Sequence, residues 1–128
     1  MTNGRLLDTN FVITFVNGES GARNYIQDMD VAVPSIVLGE LYFSAYKSVR
    51  VAENIAQIEN FARIRRIIDY DAGTARIYGQ IKNQLKTEGR PIPEHDIWIA
   101  AIALQYNLVL VTQDRHFEQV DRLQTESW

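Results

Sequence analysis

The sequence contains no cysteine and only two histidines, and both facts narrow its possible chemistry. Without cysteine, disulfide bonds and thiolate metal sites are excluded. His95 and His116 are too few for a histidine-rich zinc site. No apolar run approaches the roughly 20 residues of a membrane span, and the first residues, MTNGRLL, carry no apolar signal segment. These features favour a cytoplasmic protein.

Basic residues are also scarce: 13 Lys and Arg stand against 16 Asp and Glu, for a formal net charge of −3. A strongly basic composition is typical of nucleic-acid-binding proteins, so the bulk charge counts against that function. It does not exclude it, because local charge matters more than the sum. The 46% hydrophobic content suits one globular domain, which we expect to span residues 1–128.

Short apolar segments alternate with amphipathic ones along the chain. The predicted strands are residues 5–7, 31–33, 66–69 and 108–112, with a short edge strand expected after residue 117. One predicted helix follows residue 10. The other predicted helices cover residues 19–29, 36–49, 51–66, 72–88 and 91–107. This alternation implies parallel strands joined by crossover helices, which is an α/β sandwich.

Capping residues predict where several helices begin and end. Ser35 follows a proline that stops the second strand, and it is expected to cap the next helix. Asp71 is a good cap for a later helix, and Gly89 is expected just past the end of that helix. Pro91 and Pro93 lead into the apolar helix near the C-terminus.

Four acidic residues interrupt this apolar pattern. Asp8 ends the first strand and Asp114 follows the last long strand. Ligands of such sheets bind outside the carboxyl ends of the strands, so both acids lie where sites are built. Glu40 shares a helical stripe with apolar residues, and Asp96 falls in the first turn of a very apolar helix.

Each acid also has an ordinary structural explanation. Asp8 can form an Asx turn and Asp114 can be a turn residue. Asp96 can simply favour its helix N-terminus, and Glu40 can pair with Lys47 or with an arginine. All of these explanations would have to hold at positions that the topology brings together, so we favour a shared site.

Four carboxylates without cysteine form a hard-oxygen site, which suits Mg²⁺ or Mn²⁺. Two such ions can activate water and stabilise the leaving oxygen in phosphodiester hydrolysis. This chemistry predicts a phosphoryl-transfer nuclease, but it does not choose between RNA and DNA.

Four segments occur in the order of a known family: "LLDTN" at 6–10, "PSIVLGEL" at 34–41, "GRPIPEHDIWIAA" at 89–101 and "LVTQDRHF" at 110–117. Together they resemble the PIN-domain ribonucleases, specifically the VapC toxins of type II (VapBC) toxin–antitoxin pairs. The resemblance covers nearly the whole chain. It implies a PIN-like three-layer α/β/α sandwich with a central parallel sheet of four to five strands.

By this resemblance the catalytic and metal-binding residues are Asp8, Glu40, Asp96 and Asp114. Thr112 matches the Thr or Ser that the family places ahead of its last acid, and we expect it to support the site.

Three further polar residues lie within these motifs. Asn10 matches the "DTN" pattern and is expected to orient Asp8 or a water molecule. His95 stands where the family often has Asn; we expect a supporting role, with acid–base catalysis as the alternative. For His116, beside Arg115, we expect a surface or packing role, with an RNA contact as the alternative.

The resemblance implies a Mg²⁺-dependent endoribonuclease, with Mn²⁺ as an alternative metal, that cleaves structured RNA such as tRNA. Metal-activated water would attack the scissile phosphorus in line and leave a 5′-phosphate and a 3′-hydroxyl. The implied partners are a VapB-type antitoxin and a second copy in a homodimer.

Three basic groups are candidate RNA phosphate contacts, with an ordinary solvated surface as the alternative: Lys47 and Arg50; Arg63, Arg65 and Arg66; and Lys82, Lys86 and Arg90. Tyr42, Phe43 and Tyr46 either contact the dimer partner or the antitoxin, or pack in the core.

Two rival functions remain. "LLDTN" is also similar to the first motif of haloacid-dehalogenase-type phosphatases, but those need a second Asp where this chain has Asn10. Alternatively, a PIN-like fold that had lost its metal site could serve as an RNA- or protein-binding module. The presence of all four acids argues against this second alternative.

Overall fold

The computed structural model describes residues 4–128 and contains five short strands that pair in parallel throughout. The strands are β1 (Arg5–Leu7), β2 (Val31–Pro34), β3 (Arg66–Ile68), β4 (Val109–Val111) and β5 (Thr125–Glu126). The sheet order is β3-β2-β1-β4-β5, so the first strand of the chain lies at the centre. Leu6 pairs with Ala32 on one side and with Leu110 on the other. The predicted parallel sheet, including its C-terminal edge strand, is confirmed.

The connections between the strands are mainly helical. They are α1 (Thr9–Val16), α2 (Ser20–Tyr25), α3 (Ser35–Tyr46), α4 (Val51–Arg63), α5 (Ala72–Thr87), α6 (Glu94–Gln105) and a 3₁₀ helix (Arg115–Gln119). Helices α1 to α4 pack together as one group, and α5 packs on α6 as the other. With the sheet these groups form the predicted three-layer α/β/α sandwich.

The two ends predicted for α5 are confirmed. The Asp71 carboxylate accepts a hydrogen bond from the Thr74 amide at 3.0 Å, and the Thr74 hydroxyl accepts one from the Asp71 amide at 3.1 Å. This reciprocal pair is a capping box, which satisfies two amide groups that the first helical turn leaves free. Gly89 lies past the last turn with φ +68°, a conformation that glycine adopts without steric cost.

The predicted cap of α3 was wrong by one residue. Ser35 is the first helical residue, and Pro34 occupies the cap position with φ −67° and ψ 140°. This extended conformation leads directly from β2 into α3, and no side chain caps the helix. Helix α1 also begins earlier than predicted. It begins at Thr9, before Asn10, because Asp8 caps it.

Several predicted helices are shorter in the structure, including α3, which ends at Tyr46 and not at residue 49. Helix α2 ends at Tyr25. Hydrogen-bonded turns in which an amide donates to the carbonyl three residues earlier then continue to Met29. Helix α6 begins only at Glu94, because Pro91 and Pro93 keep the preceding residues out of the helical conformation. Similarly, Arg66 belongs to β3 and not to the end of α4.

The core lies on both sides of the central strands. Leu6 and Leu7 of β1 are fully buried, as are Phe11 of α1 and Ile99 of α6. Burying side chains of this size contributes about 1.5–3 kcal/mol each, which is the main force holding the helical layers on the sheet. No helix within residues 4–128 is long and apolar enough to cross a membrane.

The C-terminal edge of the sheet is fastened by a polar cluster. The Arg5 guanidinium donates two hydrogen bonds to the Glu126 carboxylate, at 3.1 Å and 3.0 Å. The Tyr25 hydroxyl donates to the same carboxylate. Trp128 packs edge-on against Phe11, with ring centroids 4.9 Å apart. These contacts attach the last residues of the chain to its first strand and first helix.

Candidate metal centre

Asp8 and Thr112 meet where two neighbouring strands end. Asp8 follows β1 and caps α1, and its Oδ1 accepts a hydrogen bond from the Phe11 amide at 3.0 Å. Thr112 follows β4, and its hydroxyl donates to Asp8 Oδ2 at 2.5 Å. Because β1 and β4 are adjacent in the sheet, residues that are distant in sequence become direct neighbours.

Asp114 is held two residues further along. Its amide donates to the Thr112 hydroxyl oxygen at 3.0 Å. Its carboxylate caps the 3₁₀ helix by accepting from the His116 amide at 2.9 Å. Thr112 therefore links the two acids at the carboxyl edge.

Glu40 reaches the same place from α3. The Thr9 hydroxyl donates to Glu40 Oε1 at 2.6 Å, and the other carboxylate oxygen lies 3.6 Å from His95 Nε2. Lys47, considered above as its ion-pair partner, lies instead over the Phe43 ring, 4.3 Å from its centroid. Glu40 is thus oriented towards the other acids.

Asp96 enters from the first turn of α6 and is only 6% exposed. His95 Nε2 lies 3.3 Å from Asp96 Oδ1, so this imidazole sits between the Asp96 and Glu40 carboxylates. A hydrogen-bonding role for His95 is consistent with this position.

The four acids line one cavity of about 190 Å³. Asn10 also lines it, but the hydrogen bonds to Asp8 come from Phe11 and Thr112. A larger cleft of about 500 Å³ lies elsewhere, and its lining includes Arg23 and Arg65. We assign the smaller cavity as the candidate site, because the ionisable groups converge there.

His116 belongs to this cavity, and the sequence did not indicate it. Its Nδ1 lies 3.0 Å from Asp114 Oδ1. Single ligand atoms of Asp96, Asp114 and His116 all lie within 4.8 Å of one another. The available signal was its position two residues after Asp114, which the 3₁₀ turn folds back towards the acid.

Burial and mutual repulsion disfavour the ionised acids in the absence of a cation. Burial raises the pKa of Asp8, against the opposing effect of the hydrogen bonds from Thr112 and Phe11. Burial also raises the pKa of Asp96 to about 6, where the nearby His95 opposes the shift and Asp114 adds to it. A bound cation would favour the charged form of both groups.

The donor set fits a divalent metal ion. Carboxylate oxygens from four separate elements face one small cavity, and such oxygens are the preferred ligands of Mg²⁺ and Mn²⁺. Two imidazoles at the rim add donors that suit Mn²⁺ better than Mg²⁺. The residues can therefore hold a divalent cation.

The predicted basic groups differ in their surroundings. Lys82 pairs with Glu94, and Arg50 pairs with Glu53 at 3.2 Å. Arg65 stacks on aromatic rings at the larger cleft, away from the acids.

The three apolar residues considered as contacts for a protein partner also differ in their exposure. Tyr42 packs against the core, whereas Phe43 and Tyr46 are 63% and 67% exposed. Core packing is therefore excluded for Phe43 and Tyr46.

Comparison with known proteins gives a consistent result. A PIN domain model matches residues 5–123. The chain is 40% identical to Ribonuclease VapC2 of Haemophilus influenzae and 35% identical to the tRNA(fMet)-specific endonuclease VapC of Shigella flexneri, in both cases over 96% of each chain. Among solved structures, DNA-bound VapBC from Salmonella typhimurium superposes with a TM-score of 0.93 at 31% identity, over 99% of both chains.

Proposed function

The chain belongs to the PIN domain family and, within it, to the VapC toxin ribonucleases of VapBC toxin–antitoxin systems, and on this basis we propose that it is a Mg²⁺-dependent endoribonuclease of structured RNA. The observation that carries the metal-dependent reaction is the convergence of Asp8, Glu40, Asp96 and Asp114 on one cavity. This family membership argues against the phosphatase alternative, which also lacks its second aspartate at Asn10.

The chain's own residues would bind and orient the reacting groups. Asp8 and Asp96 are the most buried of the acids and would hold the cation. When bound, divalent ions supply Lewis-acid stabilisation and lower the pKa of water. Thr112 fixes one oxygen of Asp8, which leaves that oxygen a second lone pair for a ligand.

His95 and His116 would complete the surroundings of the scissile phosphate. Both imidazoles lie at the rim of the cavity, each within about 3.3 Å of a carboxylate oxygen. From there each can donate a hydrogen bond to an acid or to a phosphate oxygen. We assign them supporting roles rather than a place in the proton transfer.

We propose tRNA as the substrate class. The support is the Shigella flexneri relative, which is named as a tRNA(fMet)-specific endonuclease and matches over 96% of both chains. Mg²⁺ is the proposed metal because hard oxygen ligands dominate the cavity, with Mn²⁺ as the alternative. A tRNA substrate places the activity in the cytoplasm.

We also propose two protein partners. A VapB-type antitoxin would inhibit the enzyme by bringing a basic side chain to the acids, since a cation can neutralise them and obstruct the metal. A second copy would form a homodimer. Phe43 and Tyr46, which are exposed on α3, are the candidate apolar contacts for these partners.

The test is expression in a bacterial host followed by mapping of new RNA 5′ ends. The unmodified protein should arrest growth and generate discrete ends, mainly in tRNA, whereas Asp8→Asn and Asp96→Asn should do neither. Asp28→Asn, at an exposed turn outside the cavity, is the matched control and should behave as the unmodified protein. Equal toxicity of the two cavity variants would refute the metal-dependent mechanism.

A further inference from the structure

Three aromatic rings form a continuous stack near the acid cavity. Trp98 of α6 is the middle ring: its centroid lies 4.1 Å from that of Tyr78 and 4.7 Å from that of Tyr70. The interplanar angles are 15° and 27°, so both pairs are stacked. Trp98 is half-buried, whereas Tyr70 at the end of the stack remains 40% exposed. Tyr70 is therefore an exposed aromatic ring that is stacked on Trp98.

This surface lies on the same side of the fold as the acids. Tyr70 follows β3 at the carboxyl edge of the sheet, and Trp98 is two residues beyond Asp96 in α6. Burial, and after it the negative charge of Glu40, raises the pKa of the Tyr70 hydroxyl. Glu40 also lines the acid cavity. An RNA strand that reaches the acids would pass close to this ring.

The charges around the stack indicate which part of RNA fits it. Tyr70 lies between the exposed residues Asp69 and Asp71. At the far end of the stack, Glu94 accepts from the Tyr78 hydroxyl at 2.6 Å and its charge is paired with Lys82. The two aspartates beside Tyr70 repel phosphate. A nucleobase is uncharged on its face and stacks well on aromatic side chains, so it is the component that this surface can accept.

We propose that Tyr70 is an RNA-binding residue that stacks on an unpaired nucleobase beside the phosphodiester held at the acid cavity, with Trp98 and Tyr78 supporting its ring. This inference rests on the proposed ribonuclease function and adds a subsite to it. Because only unpaired bases expose a face for stacking, the subsite favours cleavage in loops over cleavage in continuous duplex.

The test measures stacking directly in the full-length protein. RNA hairpins that carry 2-aminopurine at successive loop positions are titrated with protein in EDTA and low salt, so that binding is observed without cleavage. Anisotropy reports affinity, and loss of 2-aminopurine fluorescence reports stacking. The unmodified protein and Tyr70→Phe should quench at one loop position and bind equally well.

Tyr70→Leu should lose the quenching and bind on the order of ten-fold more weakly, which is the range expected for one base–aromatic stack. The matched control is Tyr106→Leu, because Tyr106 is 37% exposed but follows the last turn of α6, at the end opposite Asp96. This control should leave both readouts unchanged. Equal binding and quenching by Tyr70→Leu would overturn the proposal.

Three outcomes separate this inference from the proposed function. If the unmodified protein cleaves RNA with Mg²⁺ while Tyr70→Leu binds normally, the nuclease remains supported and the subsite is refuted. If the unmodified protein neither binds nor cleaves RNA, both proposals fail. If Tyr70→Leu does not fold, the unmodified protein decides, because the absence of quenching at every loop position refutes the subsite.

Discussion

Thr112 joins Asp8 to Asp114 through a single hydroxyl, which donates to Asp8 Oδ2 at 2.5 Å and accepts from the Asp114 amide at 3.0 Å. Asp8 and Thr112 are both buried, so water cannot replace these hydrogen bonds easily. The geometry of the acid cavity therefore depends on a residue that carries no charge.

Thr112→Val should destabilise the protein and reduce its activity. Valine fills a similar volume but leaves a buried carboxylate oxygen and an amide without their partner, at a cost of about 1–3 kcal/mol. Urea unfolding at pH 7 measures the loss. Thr112→Ser keeps the hydroxyl and should retain most of the stability and the ribonuclease activity. If the valine variant matched the serine variant in both respects, the hydroxyl would not be positioning Asp8.

Asp96→Asn should stabilise the metal-free protein at neutral pH while abolishing metal-dependent cleavage. The pKa of Asp96 is raised from 3.8 to about 6, so the folded state binds a proton more tightly than the unfolded state. The unmodified protein should therefore lose stability as pH rises from about 4 to about 6, and the variant should lose less. Unfolding curves in EDTA between pH 4 and pH 7.5 test this. Parallel pH profiles for the two proteins would contradict the expectation.

Divalent metal should make the unmodified protein more stable than Asp96→Asn. A cation that binds only the folded state raises its stability by mass action, and it should bind the Asp96 carboxylate better than the amide. At pH 7.5, added Mg²⁺ or Mn²⁺ should raise the Tm of the unmodified protein and leave that of Asp96→Asn nearly unchanged. Asp28→Asn again serves as the control, and its Tm should rise with that of the unmodified protein. A similar shift in all three proteins would indicate binding outside the cavity.

His116→Gln should weaken Mn²⁺ binding more than Mg²⁺ binding. The imidazole lies with Asp96 and Asp114 at ligand spacing, and imidazole nitrogen suits transition metals better than Mg²⁺. Isothermal titration should show a loss of about ten-fold in Mn²⁺ affinity, which is typical when a group that tunes a metal site is removed. Equal losses for both metals would assign His116 to the acids alone, as a hydrogen-bond donor.

Arg5→Met should destabilise the fold by about 1–3 kcal/mol, because it removes the bidentate pair with the half-buried Glu126. The matched control is Arg50→Met, whose pair with Glu53 is largely exposed and should contribute less than about 1 kcal/mol. Urea unfolding of the two variants gives the comparison. If the variants lost equal stability, the Arg5 cluster would be no more than a surface ion pair.

Local signals predicted much of the fold. The apolar segments, the Asp71 cap and the glycine at Gly89 act within a few residues, and the structure confirms all three. The cap expected at Ser35 failed because the proline before it already supplies the extended entry to α3. Local preference gives way there to the geometry of the preceding strand.

The candidate site was predictable only in part. Asp8 and Asp114 converge because the strand order places β1 beside β4. No short segment of the sequence predicts that order. His116 was missed because its approach to the cavity depends on a 3₁₀ turn. The stack on Trp98 joins α6 to residues of other elements, so no sequence spacing could reveal it.

The pairing of the first strand with the last long strand has a consequence for synthesis of the chain. Asp8 is synthesised 104 positions before its partner Thr112, and the Arg5–Glu126 pair spans 121 positions. A growing chain therefore lacks a complete acid cavity until β4 and Asp114 have been made and β4 has paired with β1. A nascent chain that stops short of β4 carries Asp8 and Glu40 but lacks the strand that brings Thr112 and Asp114 to them.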